Sequence, residues 1–283
     1  VLYYNYDKES KYYLPDAVCS IPEIKSISNS FSVLHLNARS LLHKIDYLET
    51  LLQIINFKFD IIAISETWET ETNSALIHIP GYAKCSKCRN NNQQGGGVAL
   101  FIRQTLDFSV VKHESKFFES VFIELKMPFR TPTIVGAIYR PPGGTLADFN
   151  TEFESLLNKL MAKNNKNITL AGDFNINLLN HNCHSDTENF LNLMFAHKII
   201  PMIKRPTRYG EYSASLIDNI FTNHINESQI SGIILEDMSD HLPIFCITQG
   251  QSVPTKKFIT KTIRLINDTT VPDLSNKLND VDW

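Results

Sequence analysis

The chain has 283 residues, of which 43% are hydrophobic, and this composition is sufficient for a large buried core. At about 150 residues per domain, the length predicts one or two domains. The formal net charge of −3 excludes a protein that coats nucleic acid by bulk positive charge, but not a carboxylate-rich metal site, whose charge the metal offsets locally.

Two further features concern the cellular setting. Five cysteines, with no signal-peptide pattern at the start, indicate a reducing, intracellular environment. No apolar run approaches the roughly 20 residues that a membrane-spanning helix needs, so we expect no membrane association.

The first third of the chain predicts a strand, a helix and a second strand. Residues 1–30 lack a clear period, and we interpret them as a leader or linker. FSVLHLN predicts a strand that ends at Asn37, and apolar residues then recur at helical spacing from about Leu42 to Asn56. The next strand, IIAIS, delivers Glu66 at its carboxyl end, although a single Glu after a strand is most often a solvated loop residue.

A polar segment, CSKCRNNNQQGGG, follows and is expected to be irregular. Cys85 and Cys88 have the spacing of zinc ligands, but the second pair that a structural zinc site needs is missing. The glycines at 95–97 precede a strand and lack the Lys-Ser/Thr of a phosphate-binding loop. A close approach of the backbone to a neighbour is the better explanation of the glycine run.

The middle of the chain is rich in strands. Apolar patterns predict strands at 108–111, 121–125 and 133–139, and the last of these ends in Tyr139 and Arg140. Both side chains either pack at the rim of a sheet or donate hydrogen bonds to phosphate oxygens.

The most informative stretch, ITLAGDFNINL at 168–178, follows a predicted helix at 146–161. A buried strand runs into a glycine, and Asp173 and Asn175 come next, two residues apart, so that both face one point. A carboxylate and an amide aimed together from a strand end suit metal and phosphate chemistry. The alternative is a plain strand-to-turn junction, where Gly, Asp and Asn are common for backbone reasons.

A second predicted helix, at about 187–197, leads to a basic cluster, the only dense one in the sequence. It contains Lys204, Arg205 and Arg208, with Thr207 among them.

The last strands carry titratable groups. Asp218 lies within the apolar strand SLIDNIFT, where an unpaired carboxylate is costly. Asp240 and His241 come just before the final strand, and His241 is the expected partner of Asp218. Together, the elements predict one unit at 31–248, with two packed sheets flanked by helices, and a polar linker at 249–283.

Seven motifs, taken in order, resemble the endonuclease/exonuclease/phosphatase superfamily: HLNARSL, ISETW, GGGVALFI, IYRPP, LAGDFN, LIDNIF and SDHLP. The residues of these motifs most resemble those of the apurinic-like endonuclease domain of LINE-type non-LTR retrotransposons, and the resemblance covers about 31–248. The resemblance implies an α/β fold, a four-layer α/β sandwich with two central, mostly antiparallel or mixed sheets. It also implies Mg²⁺-dependent hydrolysis of a phosphodiester, with Mn²⁺ as a possible substitute.

The resemblance also implies roles for individual residues. Glu66 would be the main metal ligand with Asn37 beside it, and Asp240 would lie at the metal side of the site. Asp173 would orient or deprotonate the attacking water, and Asn175 would hold the scissile phosphate.

The remaining roles concern the phosphate and the DNA. Asp218 would fix the tautomer of His241, which would stabilise the charge of the phosphate, and Tyr139 would donate to the phosphate or to the leaving oxygen. The residues implied to contact the DNA backbone are Thr207, Arg205, Arg208 and Arg140.

The resemblance therefore predicts a domain that nicks target DNA in the nucleus and leaves a 3′-hydroxyl. That end would prime a reverse transcriptase domain beyond Trp283 in the same polyprotein. The alternatives are an abasic-site repair nuclease, a small-molecule or lipid phosphatase, and an inactive copy that binds DNA. Repair-type relatives carry a carboxylate two residues after the Asn, whereas this chain has Arg39, which disfavours a second metal and a repair role.

Overall fold

The structure is a computed structural model that describes residues 10–26, 30–89, 95–126, 131–162, 166–225, 229–249 and 270–280. The chain divides into two compact units, Val1–Gln251 and Ser252–Trp283. The described part of the second unit contains the helix α5 (Thr270–Asn279). Most of the predicted linker, 250–269, lies outside the described residues.

The first unit contains two large mixed sheets. In the described residues, the strands of the first sheet are β1 (Lys11–Tyr13), β2 (Ser30–Asn37), β3 (Ile61–Ser65), β4 (Tyr82–Lys87), β5 (Val98–Arg103), β14 (Ile230–Ile234) and β15 (Ile244–Gln249). Their order across the sheet is β1-β14-β15-β2-β3-β5-β4. Two pairs, β1 with β14 and β2 with β3, are parallel.

The second sheet contains the central stretch of the sequence. Its strands in the described residues are β6 (Phe108–Val111), β7 (Glu119–Leu125), β8 (Thr133–Tyr139), β9 (Asn167–Asp173), β10 (Ile200–Pro201) and β13 (Asp218–Thr222). Their order is β10-β13-β9-β8-β7-β6, and β8 and β9 are parallel. A separate hairpin pairs β11 (Arg208–Gly210) with β12 (Ser213–Ser215).

Helices cover the outer faces of the sheets. The helices of the first unit within the described residues are α1 (Pro22–Ser26), α2 (Ile45–Ile55), α3 (Leu146–Met161) and α4 (Ser185–Ala196). Short 3₁₀ turns lie at Pro15–Ser20, Leu42–Lys44, Ser74–Leu76 and Leu178–Asn180. None of the described helices combines the length and the apolar character needed to cross a bilayer.

Alternation along the strands sends neighbouring side chains into different cores. In β2, Val33 belongs to the core that includes both sheets, whereas Leu34 belongs to the core that includes Leu48 of α2. Behind the second sheet, the ring of Phe153 in α3 packs edge-on against Phe174, with the centroids 6.4 Å apart. The four-layer α/β sandwich expected from the sequence is confirmed.

Most predicted elements are confirmed within two residues, including β2, β8, α3 and β9. The expectation of an irregular segment around Cys85 was wrong, because Tyr82–Lys87 forms β4 and pairs with β5. β4 is the last strand at one edge of its sheet, and its side chains are polar and half-buried. An edge strand needs no apolar alternation, so the sequence pattern did not reveal it.

The structure also corrects the interpretation of 1–30 as a leader or linker, for the residues it describes. Lys11–Tyr13 pairs with β14, and Val18 is fully buried in the core that contains Leu51 and Ile55 of α2. A three-residue strand and a 3₁₀ turn are too short to show a period in the sequence. Residues 1–9 and 27–29 lie outside the described part of the chain.

The burial of Val18 provides a test of this correction. Val18→Ala removes two buried methyl groups at about 0.8 kcal/mol each, so we expect the free energy of unfolding to fall by roughly 1.5–2 kcal/mol. The measurement is urea unfolding followed by tryptophan fluorescence. Leu14→Ala is the control, because Leu14 is 59% exposed in the same segment. Equal unfolding midpoints for the two variants would contradict the placement of this segment in the fold.

Candidate active site

The functional side chains predicted from the sequence meet where strands of both sheets end. In the first sheet, parallel pairing places Asn37 beside Ser65, so that Glu66 follows at the same edge. In the second sheet, Tyr139 lies beside Asp173 in the parallel pair, and Asp218 lies opposite Asp173 in the antiparallel pair. Strand topology alone therefore brings these residues to one end of the sandwich.

One amide group links the two sheets. Asn37 Nδ2 donates to Glu66 Oε1 and to Asp173 Oδ2, both at 2.9 Å. The second oxygen of Glu66, Oε2, accepts a hydrogen bond of 3.2 Å from Trp68 Nε1. Asn37 and Asp173 are buried, so this geometry is shielded from water.

The residues after β8 and β9 lock each other in place. The backbone nitrogen of Asn175 donates to Asp173 Oδ1 at 2.9 Å, and its Nδ2 donates to the carbonyl of Arg140 at 2.7 Å. Arg140 Nη1 donates in return to the carbonyl of Asn175 at 3.2 Å. Arg140 is only 6% exposed, so the structure favours a positioning role over the predicted contact with DNA.

A buried His–Asp pair lies beside this bridge, as the sequence predicted. His241 Nδ1 and Asp218 Oδ2 are 2.8 Å apart. Thr207 Oγ1 donates to the same oxygen at 2.8 Å and accepts from the backbone nitrogen of Asp218 at 3.2 Å. Thr207 is fully buried, so this support of Asp218 takes the place of the predicted contact between Thr207 and DNA.

The pKa shifts follow from burial and charge. Burial lowers the pKa of His241, but the charge and hydrogen bond of Asp218, together with the charges of Asp173 and Asp240, outweigh burial, and the pKa reaches about 9. Burial raises the pKa of Asp173, and the charge of Asp218 raises it further. Burial, with the charges of Glu66 and Asp173, also raises the pKa of Tyr139, so its hydroxyl stays protonated at neutral pH.

The donor chemistry of the site fits a divalent cation that prefers oxygen ligands. Glu66, Asp173 and Asp218 bring three carboxyl groups to one buried edge, with His241 as the paired cation. Oxygen ligands are those of Mg²⁺, and an added cation offsets the excess negative charge. In the described residues, Asp173, Asp218 and His241 also form the one compact group of potential ligands, but its His–Asp contact is already a hydrogen bond.

Asp240 has a different environment from the one predicted for a metal ligand. Its two carboxylate oxygens are each paired with an arginine at 2.8 Å, Oδ1 with Arg39 Nη1 and Oδ2 with Arg208 Nε. This pairing favours a charge-balancing role for Asp240. Arg205 is exposed in the same loop as Arg208, with its guanidinium 5.9 Å from the ring centroid of Tyr12.

Backbone strain is concentrated at this site. In the described residues, seven non-glycine residues have positive φ, and five adjoin the site: Arg39, Ser40, Glu66, Trp68 and Asn175. Their φ angles of 42–83° lie in the left-handed region, which non-glycine residues seldom adopt and which costs about 1–3 kcal/mol for each residue. Such strain is typical of functional sites.

Sequence reasoning missed two contributors to the site. Trp68 was seen only as part of the ISETW motif, and its indole proves to hold a carboxylate oxygen of Glu66. Arg39 was read as a missing ligand, and it proves to neutralise Asp240. Arg39 and Asp240 are 201 residues apart in the sequence, and the contact between Trp68 and Glu66 depends on a turn with positive φ at both residues, so no sequence pattern shows either role.

Comparisons with known proteins agree with this geometry. Residues 133–245 match the family described as endonuclease-reverse transcriptase. The chain has the endonuclease/exonuclease/phosphatase fold. The resemblance found in the sequence is therefore confirmed. A search of curated protein sequences found no match.

Three solved structures illustrate the likeness. An AP endonuclease from Leishmania major has 11% identity and a TM-score of 0.60, covering 78% of this chain and 88% of that one. The endonuclease domain of TRAS1, a telomere-specific non-LTR retrotransposon, has 13% identity and a TM-score of 0.60, covering 79% and 100%. The 3′ phosphatase NExo from Neisseria, bound to product DNA hairpin, has 15% identity and a TM-score of 0.57, covering 76% and 98%.

These three proteins share this sandwich, although one is an AP endonuclease, one an endonuclease domain of a retrotransposon and one a 3′ phosphatase. At these identities the likeness shows the fold, and the fold alone does not select a substrate.

The contact between Thr207 and Asp218 generates a prediction. Thr207→Val keeps the shape but removes the hydroxyl from two buried hydrogen bonds, so we expect the free energy of unfolding to fall by about 1–3 kcal/mol. Thr207→Ser keeps the hydroxyl and should lose only about 0.8 kcal/mol for the methyl group. Chemical denaturation measures both values. Unchanged stability of Thr207→Val with weaker DNA binding would instead support a surface contact with DNA.

Proposed function

We propose that the chain is a metal-dependent endonuclease that nicks one strand of DNA, as part of a non-LTR retrotransposon polyprotein. The observation that carries the proposal is the amide of Asn37, which joins Glu66 and Asp173 beside the His241–Asp218 pair. The match of 133–245 to the endonuclease-reverse transcriptase family and the likeness to the TRAS1 endonuclease domain support the retrotransposon assignment.

Hydrolysis of a phosphodiester builds negative charge on the phosphate, so the site must supply positive charge, hydrogen-bond donors and an aligned water. Mg²⁺, or Mn²⁺ in its place, held by Glu66 and Asn37, supplies Lewis-acid charge when bound. Asp173 orients and deprotonates the attacking water, and the amide of Asn175, fixed by its bond to Arg140, holds the phosphate.

The remaining two donors face the same phosphate. Asp218 accepts the hydrogen bond from Nδ1 of His241, so Nε2 is the ring nitrogen that donates to a phosphate oxygen. The raised pKa of His241 keeps the imidazolium form at neutral pH. Tyr139, whose hydroxyl stays protonated, donates to the phosphate or to the leaving oxygen.

The wider setting follows from the same assignment. The nick leaves a 3′-hydroxyl that primes a reverse transcriptase in the same polyprotein. Both reactions take place in the nucleus, where target DNA lies. The DNA lies along the loop that contains Arg205 and the hairpin β11–β12, where Tyr212 is 92% exposed at the turn. An exposed aromatic ring is suited to stacking on a base.

The other members of the superfamily remain alternatives. An abasic-site nuclease is favoured by the likeness to the Leishmania major enzyme, and a phosphatase by the likeness to NExo. Against the repair alternative, Arg39 stands at the expected ligand position and pairs with Asp240. An inactive copy is disfavoured, because the catalytic groups are all present, Asn37 bonds both Glu66 and Asp173, and His241 is paired with Asp218.

The first experiment is nicking of supercoiled plasmid with Mg²⁺ and with EDTA. Asp173→Ala should lower the rate by about 10²–10⁴-fold, because it removes the group that acts on the water. Asp107→Ala, an exposed Asp remote from the site, is the control and should cut like the unmodified chain. Extension of the nick by a template-dependent polymerase without prior phosphatase treatment identifies the 3′-hydroxyl.

Three outcomes would contradict the proposal. Nicking by Asp173→Ala at the normal rate would remove the site assignment. Cutting of abasic duplex but not of plasmid would support the repair alternative. Release of phosphate from phosphorylated small molecules, with no nicking, would support a phosphatase.

The exposed Arg205 generates a prediction about DNA binding. In an Asp173→Ala background, Arg205→Ala should reduce the slope of log K against log salt by about 0.9, the value for one lost phosphate contact. Arg208→Ala should also disturb the pairing of Asp240, so its effect should include a loss of stability. Fluorescence anisotropy of a labelled duplex measures the slope. Lys159→Ala, on the exposed outer face of α3, is the control, and an equal change there would exclude a specific contact by Arg205.

A further inference from the structure

The side chain of Arg89, to which no role has been assigned so far, places an additional positive charge at the edge of the site. Arg89 follows β4, and its guanidinium carbon lies 5.7 Å from the ring centroid of Tyr139. Its Nε lies 2.5 Å from Glu119 Oε1. Glu119 is the cross-strand partner of Tyr139 in β7 and β8, so the arginine is fixed beside this tyrosine.

The glycine run makes room for this guanidinium. A Cβ at Gly96 would lie 2.2–2.4 Å from atoms of the Arg89 guanidinium, and Gly96 has a φ of 68°. A side chain here would strain the backbone and would displace the guanidinium of Arg89 from this position. The close approach predicted from the sequence for this run is confirmed at Gly96.

The same segment holds the loop that carries Glu66. The carbonyl of Gly96 accepts from the backbone nitrogen of Trp68 at 2.8 Å, and Gly97 donates to the carboxylate of Glu119. A Cβ on Gly95 would lie 3.4 Å from Arg89 Nη1 and 3.7 Å from Trp68 Nε1. Arg89 therefore lies close both to Tyr139 and to the indole that holds Glu66.

Among the described residues, the hydrogen bonding of Arg89 is incomplete. Glu119 takes the Nε edge, and Nη2 is buried without a partner among the described residues. The side chain remains 22% exposed, and Nη1 is the end that lies toward Trp68. A charged donor that is buried without an acceptor is costly, and phosphate oxygens match the fork geometry of a guanidinium.

We propose that Arg89 binds a phosphodiester oxygen at the Tyr139 edge of the site, where its guanidinium supplies a fixed positive charge. This inference rests on the proposed function. With Glu119 as its anchor, the guanidinium is set in place before the substrate arrives, so it stabilises charge that develops on the phosphate. Tyr139 and Arg89 then contact the same phosphate from one side.

Variants of Arg89 distinguish a phosphate contact from a role that is limited to the ion pair with Glu119. Arg89→Met removes the charge and keeps the length, and a phosphate contact requires its kcat for plasmid nicking to fall by about 10²-fold. Arg89→Lys should recover part of the rate, because it restores the charge without the fork. Arg103→Met is the matched control, because Arg103 pairs with Asp60 at the opposite end of β5 and is 27% exposed. It should keep the normal kcat.

Binding to DNA provides a readout that does not require cleavage. In an Asp173→Ala background, Arg89→Met should reduce the salt slope of duplex binding by about 0.9, whereas Arg103→Met should not change it. If Arg89→Met lowers the melting temperature but leaves kcat and the salt slope unchanged, the proposal is overturned, and Arg89 serves only to stabilise the fold through Glu119. If the unmodified chain does not nick DNA, the proposed function fails, and the salt slope still decides whether Arg89 contacts phosphate.

Discussion

The two hydrogen bonds donated by Asn37 are the constraint on which the rest of the site depends. They connect Glu66, which follows the first sheet, to Asp173, which ends a strand of the second. Neither sheet contains the site by itself, so the distance between the layers fixes the distance between the carboxylates. The apolar core between the sheets therefore sets the geometry of the site, because close packing prevents the layers from sliding.

Charge balance explains the arrangement around that bridge. Neighbouring carboxylates repel one another, and both the half-buried Glu66 and the buried Asp218 have a donor or a cation in contact: Asn37 for Glu66, and His241 for Asp218. At the rim, Arg39 and Arg208 neutralise Asp240. The guanidinium of Arg39 thus stands where the repair-type pattern has a carboxylate, and it balances the charge of Asp240.

The sequence predicted the parts of this structure that depend on local pattern. The buried strand β9 and the residues that follow it were recognised because an apolar run and two polar groups occur within one short segment. The role of Thr207 was not recognised, since a threonine among basic residues is typical of a surface that contacts DNA, and only the structure shows that it is buried. The pairing of Asp240 was also not predicted, because its partners lie in segments that are distant in sequence.

Strain in the loops explains why the glycine run and the residues of the candidate site belong together. Glu66 and Trp68 both have a φ of 52°, and isolated residues of these types seldom adopt that conformation. The carbonyls of Gly97 and Gly96 accept from the backbone of Thr67 and Trp68, at 3.2 and 2.8 Å, and so hold the strained turn. The turn presents the Glu66 carboxylate to Asn37 and to Trp68 at once. A relaxed backbone would aim that carboxylate elsewhere, so the strain is part of how the site is assembled.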